Sequence, residues 1–430
     1  MTKLRLLIVG IFTLPICCFK SSAQDSLYVR SVIETLSSPA FHGRGYAFKG
    51  DSIAANFISN EFARLNLKSW TKDYSQFYNF SINVFEGNTK VDFLGNYSSS
   101  SSSDALQIVA NSAAVKGTFE VIYSKKNMLK KNFNSSKITN KFVAVDMVKL
   151  APDDKKKKQC NSLVYNHSLG AKGFIFIHEK LGAYSPRIGQ IKSPYTSFLL
   201  LKDSISGVLK NISIDLDARF IENYQTQNVC GYIEGKLYPD TFFVFGAHYD
   251  HLGKIGTEYY FPGANDNAAG VAMILDLAHY FSQPENKPDY SIAFLAFSGE
   301  EIGLLGSSYF VENSPILLKN IKIMLNLDVM GTGENGFTFV GGEVFTTDFD
   351  AFATINTEKN YVKKIVPREL APNSDHYPFY QKDCKAMFIY GMGKSGKYHH
   401  PSDTLENLSL GGYTNLFRLL VDYVNLHNIK

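Results

Sequence analysis

Histidine and acidic residues follow apolar segments in the C-terminal half of the chain, at the point where each segment ends. His248 follows Thr241–Ala247, and Asp328 follows Ile321–Leu327. Continuous apolar runs of this length are typical of buried parallel strands, and open α/β sheets bind ligands at the carboxyl ends of such strands. Imidazole and carboxylate groups are ligands of zinc and related divalent metals. The sequence therefore predicts a metal site at one edge of a sheet.

Two adjacent acids, Glu300 and Glu301, follow a third apolar segment, Ser291–Gly299. Their side chains point in different directions, so one carboxylate can bind a metal while the other faces a water molecule at the metal. That water needs a base to take its proton, and a nearby carboxylate can serve. We assign Glu301 as a metal ligand and Glu300 as the general base.

Two adjacent histidines, His399 and His400, come shortly after the fourth apolar segment, Lys385–Tyr390. One of them would supply the last nitrogen ligand, and their chemistry alone does not distinguish them. Tyr398 directly precedes the pair and could donate a hydrogen bond to an oxyanion that develops during a reaction.

Two further acids allow alternative interpretations. Asp250 shares a strand face with His248 and could orient its imidazole, although a simple surface pair is equally consistent with the sequence. Asp266 directly precedes a predicted helix, where it could lie between two metals or merely cap the helix. His251 is expected to face away from the site if the strand continues. The whole set of residues indicates a two-metal hydrolase.

The N-terminal segment 1–23 is typical of a signal peptide. Lys3 and Arg5 form a positive start, Leu6–Phe19 is apolar but too short to span a bilayer, and small residues precede a predicted cleavage before Gln24. We therefore expect an exported protein, periplasmic or extracellular, with no stable membrane span after cleavage. Lipid anchoring is less favoured, because the residues before the N-terminal cysteines are not the small ones usual at such sites.

The composition excludes some functions. Without segment 1–23 the chain has 41 basic and 40 acidic residues, so nothing indicates nucleic-acid binding. The three remaining cysteines are Cys160, Cys230 and Cys384, and their spacing fits no zinc-thiolate motif. Their pairing is left open. The 430-residue length suits two domains, and a hydrophobic content of 45% suits a sizeable core.

Strand-like and helix-like segments alternate from about Thr226 onward. This alternation predicts an α/β fold with a mostly parallel twisted sheet sandwiched by helices in three layers. The predicted helices are Asp25–Leu36, Asp51–Leu67, Ala268–Ser282, Gly306–Asn313 and Gly411–His427. Short β-rich segments and a helix-like stretch at Lys157–Leu169 lie between the first helices and this region. We therefore predict an inserted β-rich domain at 97–225 and a catalytic domain formed by 24–96 and 226–430.

The motifs, in their order and spacing, resemble those of the co-catalytic zinc exopeptidases, which include secreted bacterial aminopeptidases, glutamate carboxypeptidase II and glutaminyl cyclase. The matching strings are Gly246-Ala247-His248-Tyr249-Asp250, Gly263–Gly270, Ser298–Ser307, Asn326-Leu327-Asp328 and Tyr398–Thr404. The predicted insert resembles a protease-associated domain at Leu169–Ile175.

This resemblance implies two zinc ions per chain. Asp266 would bridge both ions. The remaining ligands would divide into one pair for each ion: His248 with Asp328, and Glu301 with His399. His399 is favoured over its neighbour because the family's last motif reads Tyr-His before a small residue and Pro.

The resemblance also implies roles for residues that do not bind metal. Glu300 would be the general base, Asp250 would support the adjacent histidine ligand, and Tyr398 would help to hold the tetrahedral oxyanion. Asp375 and His376 fall in a segment that lines the substrate site in the family.

The implied function is hydrolysis of peptide bonds by an exported metallopeptidase. An aminopeptidase that removes N-terminal residues, with water activated by two zinc ions, is the expected activity on peptide substrates. The alternatives are a glutaminyl cyclase-like acyltransferase with a single zinc, and a carboxypeptidase or dipeptidase of the same family. A non-catalytic binding protein would be expected to lack ligands or the base, and none is missing here.

Overall fold

The computed structural model of the chain describes residues 26–94, 105–124, 138–150, 170–257, 259–394 and 398–428. The predicted signal peptide, the predicted helix at Lys157–Leu169 and Cys160 lie outside the described residues. Within the described ranges, every helix is too short or too polar to cross a membrane.

Helices and strands alternate through most of the described residues. The α-helices are α1 (Ser26–Ser37), α2 (Gly50–Arg64), α3 (Met147–Leu150), α4 (Ala269–Ser282), α5 (Leu305–Glu312), α6 (Thr346–Lys359), α7 (His376–Tyr380) and α8 (Tyr413–Leu426). The strands are β1 (Ser75–Val84), β2 (Thr89–Leu94), β3 (Leu106–Ile108), β4 (Val115–Tyr123), β5 (Phe142–Asp146), β6 (Gly173–His178), β7 (Thr196–Leu201), β8 (Asn211–Leu216), β9 (Arg219–Ile233), β10 (Tyr238–His248), β11 (Lys254–Ile255), β12 (Tyr259–Tyr260), β13 (Tyr290–Phe297), β14 (Ile321–Leu327), β15 (Phe337–Val340), β16 (Ile365–Arg368) and β17 (Ala386–Gly391).

The larger sheet has eight strands in the order β1-β9-β13-β10-β14-β17-β15-β16. Its four central strands, β13, β10, β14 and β17, run parallel to one another. Antiparallel pairs flank this centre on both sides, where β9 meets β13 and β15 meets β17. The predicted α/β fold, with a sheet sandwiched by helices, is confirmed.

Both faces of the larger sheet are covered. On β10, Phe243 and Phe245 belong to the core that contains α4 and α8, whereas Phe242 and Val244 belong to the core that contains α5 and α7. Alternate residues of a strand face opposite sides of its sheet. Apolar residues are therefore needed at every position, which explains the continuous apolar runs in the sequence.

Helix α4 packs closely against the end of β14. Gly270, in its first turn, lies against the carbonyl oxygen of Leu327, where any Cβ would collide. Its N–H donates to Asn267 Oδ1 at 3.0 Å, and Asn267 Nδ2 donates to Leu327 O at 2.9 Å. The loop before α4 is thereby held next to the carboxyl end of β14.

The second sheet has seven strands in the order β2-β8-β4-β5-β6-β7-β3. In chain order its strands run from β2 to β8. Two hydrophobic cores lie on its faces. The chain then enters β9, which pairs with β1 and β13 of the larger sheet. The domain boundaries at 97 and 225 stay a prediction.

Helix α6 and the strands β1, β15 and β16 had no counterpart among the predicted elements. The described side chains of α6 include only two buried residues, Phe352 and Ile355, so its sequence carries little apolar periodicity. Strand β16 has no buried residue. Helix α6 and strand β16 therefore bury too little surface to leave a clear pattern in the sequence, whereas β15 is fully buried but only four residues long.

Candidate metal centre

The parallel strands bring the predicted ligands to one edge of the sheet. His248 is the last residue of β10 and is paired with Phe297, the last residue of β13. Asp328 follows directly after β14, which pairs with β10 on its other side. Three separate segments of the chain therefore end next to one another.

One group of ligand atoms lies directly at these strand ends. His248 Nε2 is 3.2 Å from Asp266 Oδ1 and 3.2 Å from Asp328 Oδ1. All three residues are buried, and their ligand atoms are close enough to hold one metal ion. We call His248, Asp266 and Asp328 the strand-end set.

A second group of ligand atoms lies on the other side of Asp266. His399 Nε2 is 3.2 Å from Asp266 Oδ2 and 3.1 Å from Glu301 Oε2. We call Asp266, Glu301 and His399 the loop set, because loops carry all of its members. The two oxygens of Asp266 therefore face different sets, which is the arrangement expected of a bridging carboxylate.

The main chain around Asp266 is fixed by side chains from distant segments. The carboxylate of Asp403 accepts hydrogen bonds from the N–H groups of Asn265 and Asp266 at 2.8 and 3.1 Å. Arg44 Nη2 donates to the carbonyl oxygen of Asp266 at 3.2 Å. The side chain of Asp266 does not cap the helix, because it faces two histidines. Asn267 instead accepts the hydrogen bond from the first turn of α4.

His248 receives its orientation from the backbone. Its Nδ1 lies 3.0 Å from the carbonyl oxygen of Asp250 and 3.8 Å from the carboxylate of the same residue. Nδ1–H donation to that carbonyl leaves the lone pair of Nε2 directed at the strand-end set. The carboxylate of Asp250 instead accepts from Tyr46 Oη at 2.8 Å and from the N–H of Glu300 at 3.2 Å.

Asp328 is supported by a buried hydroxyl. Ser374 Oγ donates to Asp328 Oδ2 at 2.7 Å and accepts from Asn326 Nδ2 at 2.7 Å. The neighbouring Asp375 and His376 are fully buried, and Asp375 Oδ1 accepts from Ser307 Oγ at 2.5 Å. Burial raises the pKa of Asp375 to about 7 and lowers the pKa of His376 to about 4. Their assignment to the substrate site stays a prediction.

The adjacent histidines occupy different environments. The Nδ1 of His399 lies 2.6 Å from the carbonyl oxygen of Tyr184, which belongs to the segment between β6 and β7 of the second sheet. His400 instead places its Nδ1 2.7 Å from Ser402 Oγ. The geometry therefore favours His399 as the ligand. Tyr398 is 59% exposed and stacks on the imidazole of His399 with ring centroids 3.8 Å apart, at the mouth of the site.

His251 corrects one expectation from the sequence. Strand β10 ends at His248, so His251 does not continue the alternation and turns inward instead. It is 1% exposed, and its Nδ1 lies 2.7 Å from Glu301 Oε1 and 3.8 Å from Asp266 Oδ2. The prediction that it faces away was wrong because it assumed a longer strand.

Arg44 is a second residue whose importance the sequence did not reveal. It is completely buried, and its guanidinium donates to carbonyl oxygens of five residues: Leu36, Tyr249, Pro262, Gly263 and Asp266. Burial lowers the pKa of Arg44 to about 10. The only sequence signal is its place in the glycine-rich string Phe41–Gly45. Arg44 joins the N-terminal segment to both loops that surround His251.

The site concentrates negative charge away from water. Burial raises the pKa of Glu300 well above its usual range, and the adjacent Glu301 and Asp328 carboxylates add to this effect. Although burial alone would raise the pKa of Asp266, contacts with His248 and His399 hold it well below its usual range. The buried carboxylates thus lie directly against imidazole groups.

The residues present fit zinc. Asp266 Oδ2 and His399 Nε2 are buried atoms without a hydrogen-bond partner, and they point toward each other. Orphaned buried carboxylate and imidazole atoms are costly unless a cation or a donor satisfies them. Histidine nitrogen and carboxylate oxygen are ordinary zinc ligands. Two such sets that share one carboxylate suit a pair of ions.

The fold and the site define an α/β protein of the peptidase type with a divided histidine–carboxylate centre. Residues 228–424 match the model of Peptidase family M28. This part of the chain is therefore similar to that family, in agreement with the resemblance to co-catalytic zinc exopeptidases that the motifs implied. All five predicted ligands lie inside the matched region.

Two curated relatives are similar to parts of the chain. The chain is 29% identical over 257 residues to the aminopeptidase YwaD of Bacillus subtilis, an alignment that covers 56% of this chain and 53% of the relative. It is 36% identical over 124 residues to a probable zinc metalloprotease of Pyrenophora teres, covering 28% of this chain and 26% of that protein. The chain thus spans about half or less of the length of these relatives.

A solved zinc aminopeptidase of Bacillus subtilis shares the fold. The superposition has a TM-score of 0.68 with 21% sequence identity and covers 95% of this chain and 97% of that structure. The similarity therefore extends over the second sheet as well as the matched family region.

Proposed function

We propose that the protein is an exported two-zinc aminopeptidase that removes N-terminal residues from peptides. The observation that carries this proposal is the position of Asp266, whose two carboxylate oxygens each face a different set of ligands. A site for one metal would need only one of these sets. The family match and the similarity to aminopeptidases support the peptidase activity.

The strand-end set would hold one zinc ion and the loop set the other. When bound, zinc supplies Lewis acidity, which lowers the pKa of water and polarises a carbonyl group. The chain's contribution is to bury the ligands and hold them in position before substrate arrives. His248 and His399 donate from Nδ1 to backbone carbonyl oxygens, and Asp328 accepts from Ser374, so groups that bind no metal hold all three ligands in place.

Glu300 would act as the general base. It is half-buried next to both sets, and it makes no ion pair with the histidines that face Asp266. The bond from its own N–H to Asp250 fixes the turn that carries it. Glu300 would take a proton from the attacking water and return it to the amine that leaves when the peptide bond breaks.

Tyr398 would act at the open side of the site. Its ring stacks on His399, and this contact restrains the direction of its hydroxyl group. Donation of a hydrogen bond to the developing oxyanion would stabilise the transition state. Asp375 and His376 would form part of the inner wall of the substrate site, because both are fully buried.

The test uses the chain expressed with its N-terminal segment intact. We expect mass spectrometry of the exported protein to find Gln24 at its N-terminus. Metal analysis should give two zinc ions per chain, and aminoacyl amides and dipeptides should be hydrolysed. A chelator should abolish this hydrolysis, zinc should restore it, and N-acetylation of the substrate should prevent it.

Other outcomes would identify the alternatives. One zinc per chain together with cyclisation of N-terminal glutamine would indicate a glutaminyl cyclase-like acyltransferase. Shortening of peptides from the C-terminus would indicate a carboxypeptidase, and cleavage of dipeptides alone would indicate a dipeptidase. The proposal is wrong if no substrate with a free amine is hydrolysed in a chelator-sensitive way.

A further inference from the structure

His251 is buried against the loop set without belonging to either predicted ligand pair. Its Nδ1 lies 2.7 Å from Glu301 Oε1, the oxygen of Glu301 that does not face His399. Its other ring nitrogen, Nε2, is buried and has no hydrogen-bond partner. Among the described residues, the one side chain within hydrogen-bond distance of the imidazole is therefore a proposed zinc ligand, and Asp266 Oδ2 lies further from Nδ1, at 3.8 Å.

We infer that His251 is a positioning residue for the second zinc ion: its Nδ1–H donates to Glu301 Oε1 and so directs Glu301 Oε2 toward the metal. This inference rests on the proposed two-zinc function. The proposed ligands and the proposed general base leave open which residue orients Glu301, and the inference assigns that role to His251.

The distances favour a hydrogen bond over a direct bond from His251 to the metal. Tetrahedral zinc with bonds of about 2.0–2.1 Å places its ligand atoms roughly 3.3 Å apart. The contacts of His399 with Glu301 and Asp266, at 3.1 and 3.2 Å, are close to that value. The 2.7 Å separation of His251 from Glu301 is instead the length of a charge-assisted hydrogen bond.

The surroundings of His251 also select the tautomer. A proton on Nε2 alone would leave a buried N–H without an acceptor and would turn the lone pair of Nδ1 toward a carboxylate oxygen. A proton on Nδ1 places a donor against Glu301 Oε1 and leaves no buried N–H without an acceptor. The proton is therefore where the bond to Glu301 needs it.

The ring of His251 is closely packed by its neighbours. Gly263 lies against its Cδ2 atom, and any side chain at that position would collide with the imidazole. Phe261 contacts the ring edge-on with centroids 6.5 Å apart, and the N–H of His251 donates to the carbonyl oxygen of Arg44 at 3.3 Å. Gly263 and Phe261 pack against the ring, and the bond to Arg44 anchors the main chain of His251, so the imidazole can impose its direction on Glu301.

Three substitutions test the inference. His251→Ala removes the ring, His251→Leu fills its volume without a donor, and His251→Asn places an amide N–H near the position of Nδ1. His400→Ala is the matched control, because it removes a neighbouring imidazole whose Nδ1 lies 2.7 Å from Ser402 Oγ. The readouts are zinc stoichiometry, the dissociation constant of each ion by chelator competition, and the absorption spectrum of the cobalt-substituted protein.

We expect His251→Ala and His251→Leu to weaken the binding of one zinc ion by about 10- to 100-fold and to leave the affinity for the other ion unchanged. His251→Asn should recover most of that loss, and His400→Ala should match the wild type. The melting temperature of the metal-free proteins separates this effect from misfolding, and His251→Leu provides the result if His251→Ala does not fold.

Two results would overturn the inference. Unchanged affinity for both ions in His251→Leu would show that the contact with Glu301 has no role. Equal losses in His251→Asn and His251→Leu, with a changed cobalt spectrum in both, would show that the imidazole itself binds the metal. A wild-type protein that binds fewer than two zinc ions would instead contradict the proposed function.

Discussion

The strand-end set takes His248 and Asp328 from the ends of neighbouring parallel strands, whereas the loop set takes Glu301 and His399 from loops that follow β13 and β17. In the first case the hydrogen bonds of the sheet already determine where the ligands lie. In the second case the direction of each side chain depends on additional contacts. The two halves of one metal centre therefore differ in how their geometry is maintained.

The additional contacts of the loop set come from distant parts of the chain. His399 is held by the carbonyl oxygen of Tyr184, from the region of the second sheet, and Glu301 is held by His251. The support of the strand-end set is local to the larger sheet, through Ser374 and the backbone of Asp250. Changes in the second sheet should consequently affect one zinc ion far more than the other.

The largest effect is expected where the two sets meet. Asp266→Asn removes the shared negative charge and should reduce zinc content from two ions to less than one, with loss of detectable hydrolysis. Asp350→Asn, at an exposed position on α6, is the control and should behave like the wild type. Metal analysis after dialysis decides the matter, and retention of two ions would refute the bridging role.

A large loss of activity without loss of metal is expected from Glu300→Gln. The substitution removes the base but leaves every ligand in both sets, so kcat should fall by about 10²- to 10⁴-fold while both zinc ions remain. Steady-state kinetics and metal analysis on the same sample provide the measurement. Loss of one zinc ion would mean that Glu300 is a ligand.

A deletion between β6 and β7 tests whether the loop set depends on the second sheet. Replacing Gly182–Arg187 by two glycines removes the carbonyl group that holds His399, and one zinc ion should bind about 10- to 100-fold more weakly. Tyr184→Ala keeps that carbonyl and loses the stacking on Phe261, so its effect should be smaller. Chelator competition measures both variants. Equal weakening of both ions would contradict the division into two differently supported sets.

The smallest effect is expected at the strand-end set. Ser374→Ala removes one hydrogen bond to Asp328 and leaves the buried amide of Asn326 without its acceptor. The free energy of unfolding should fall by about 1–3 kcal/mol, because a buried donor is left unpaired. Zinc binding should weaken by about tenfold, at the lower end of the range for such contacts. Urea denaturation of the metal-free protein measures the first quantity, and an unchanged stability would exclude the bond as a support.

Much of the central architecture could be predicted from sequence. Strand β14 has the predicted limits, and α4 begins one residue later than predicted and ends at Ser282. These elements are buried on all sides, so their apolar patterns are strong. The margins of the sheet could not be predicted, because α6 and β16 bury few of their described side chains.

The amino-acid sequence by itself determined the fold class and brought out His248, Asp266, Glu301, Asp328 and His399 as ligand candidates, with Glu300 as the adjacent base. It could do so because strands buried on both faces leave long apolar runs, and charged groups at their ends then stand out. Only the tertiary structure decided that His251 turns inward, that Arg44 joins three segments, and that Tyr184 supports His399. These contacts join residues far apart in the chain, and their partners are mostly backbone carbonyl groups, which every residue carries and no sequence pattern marks.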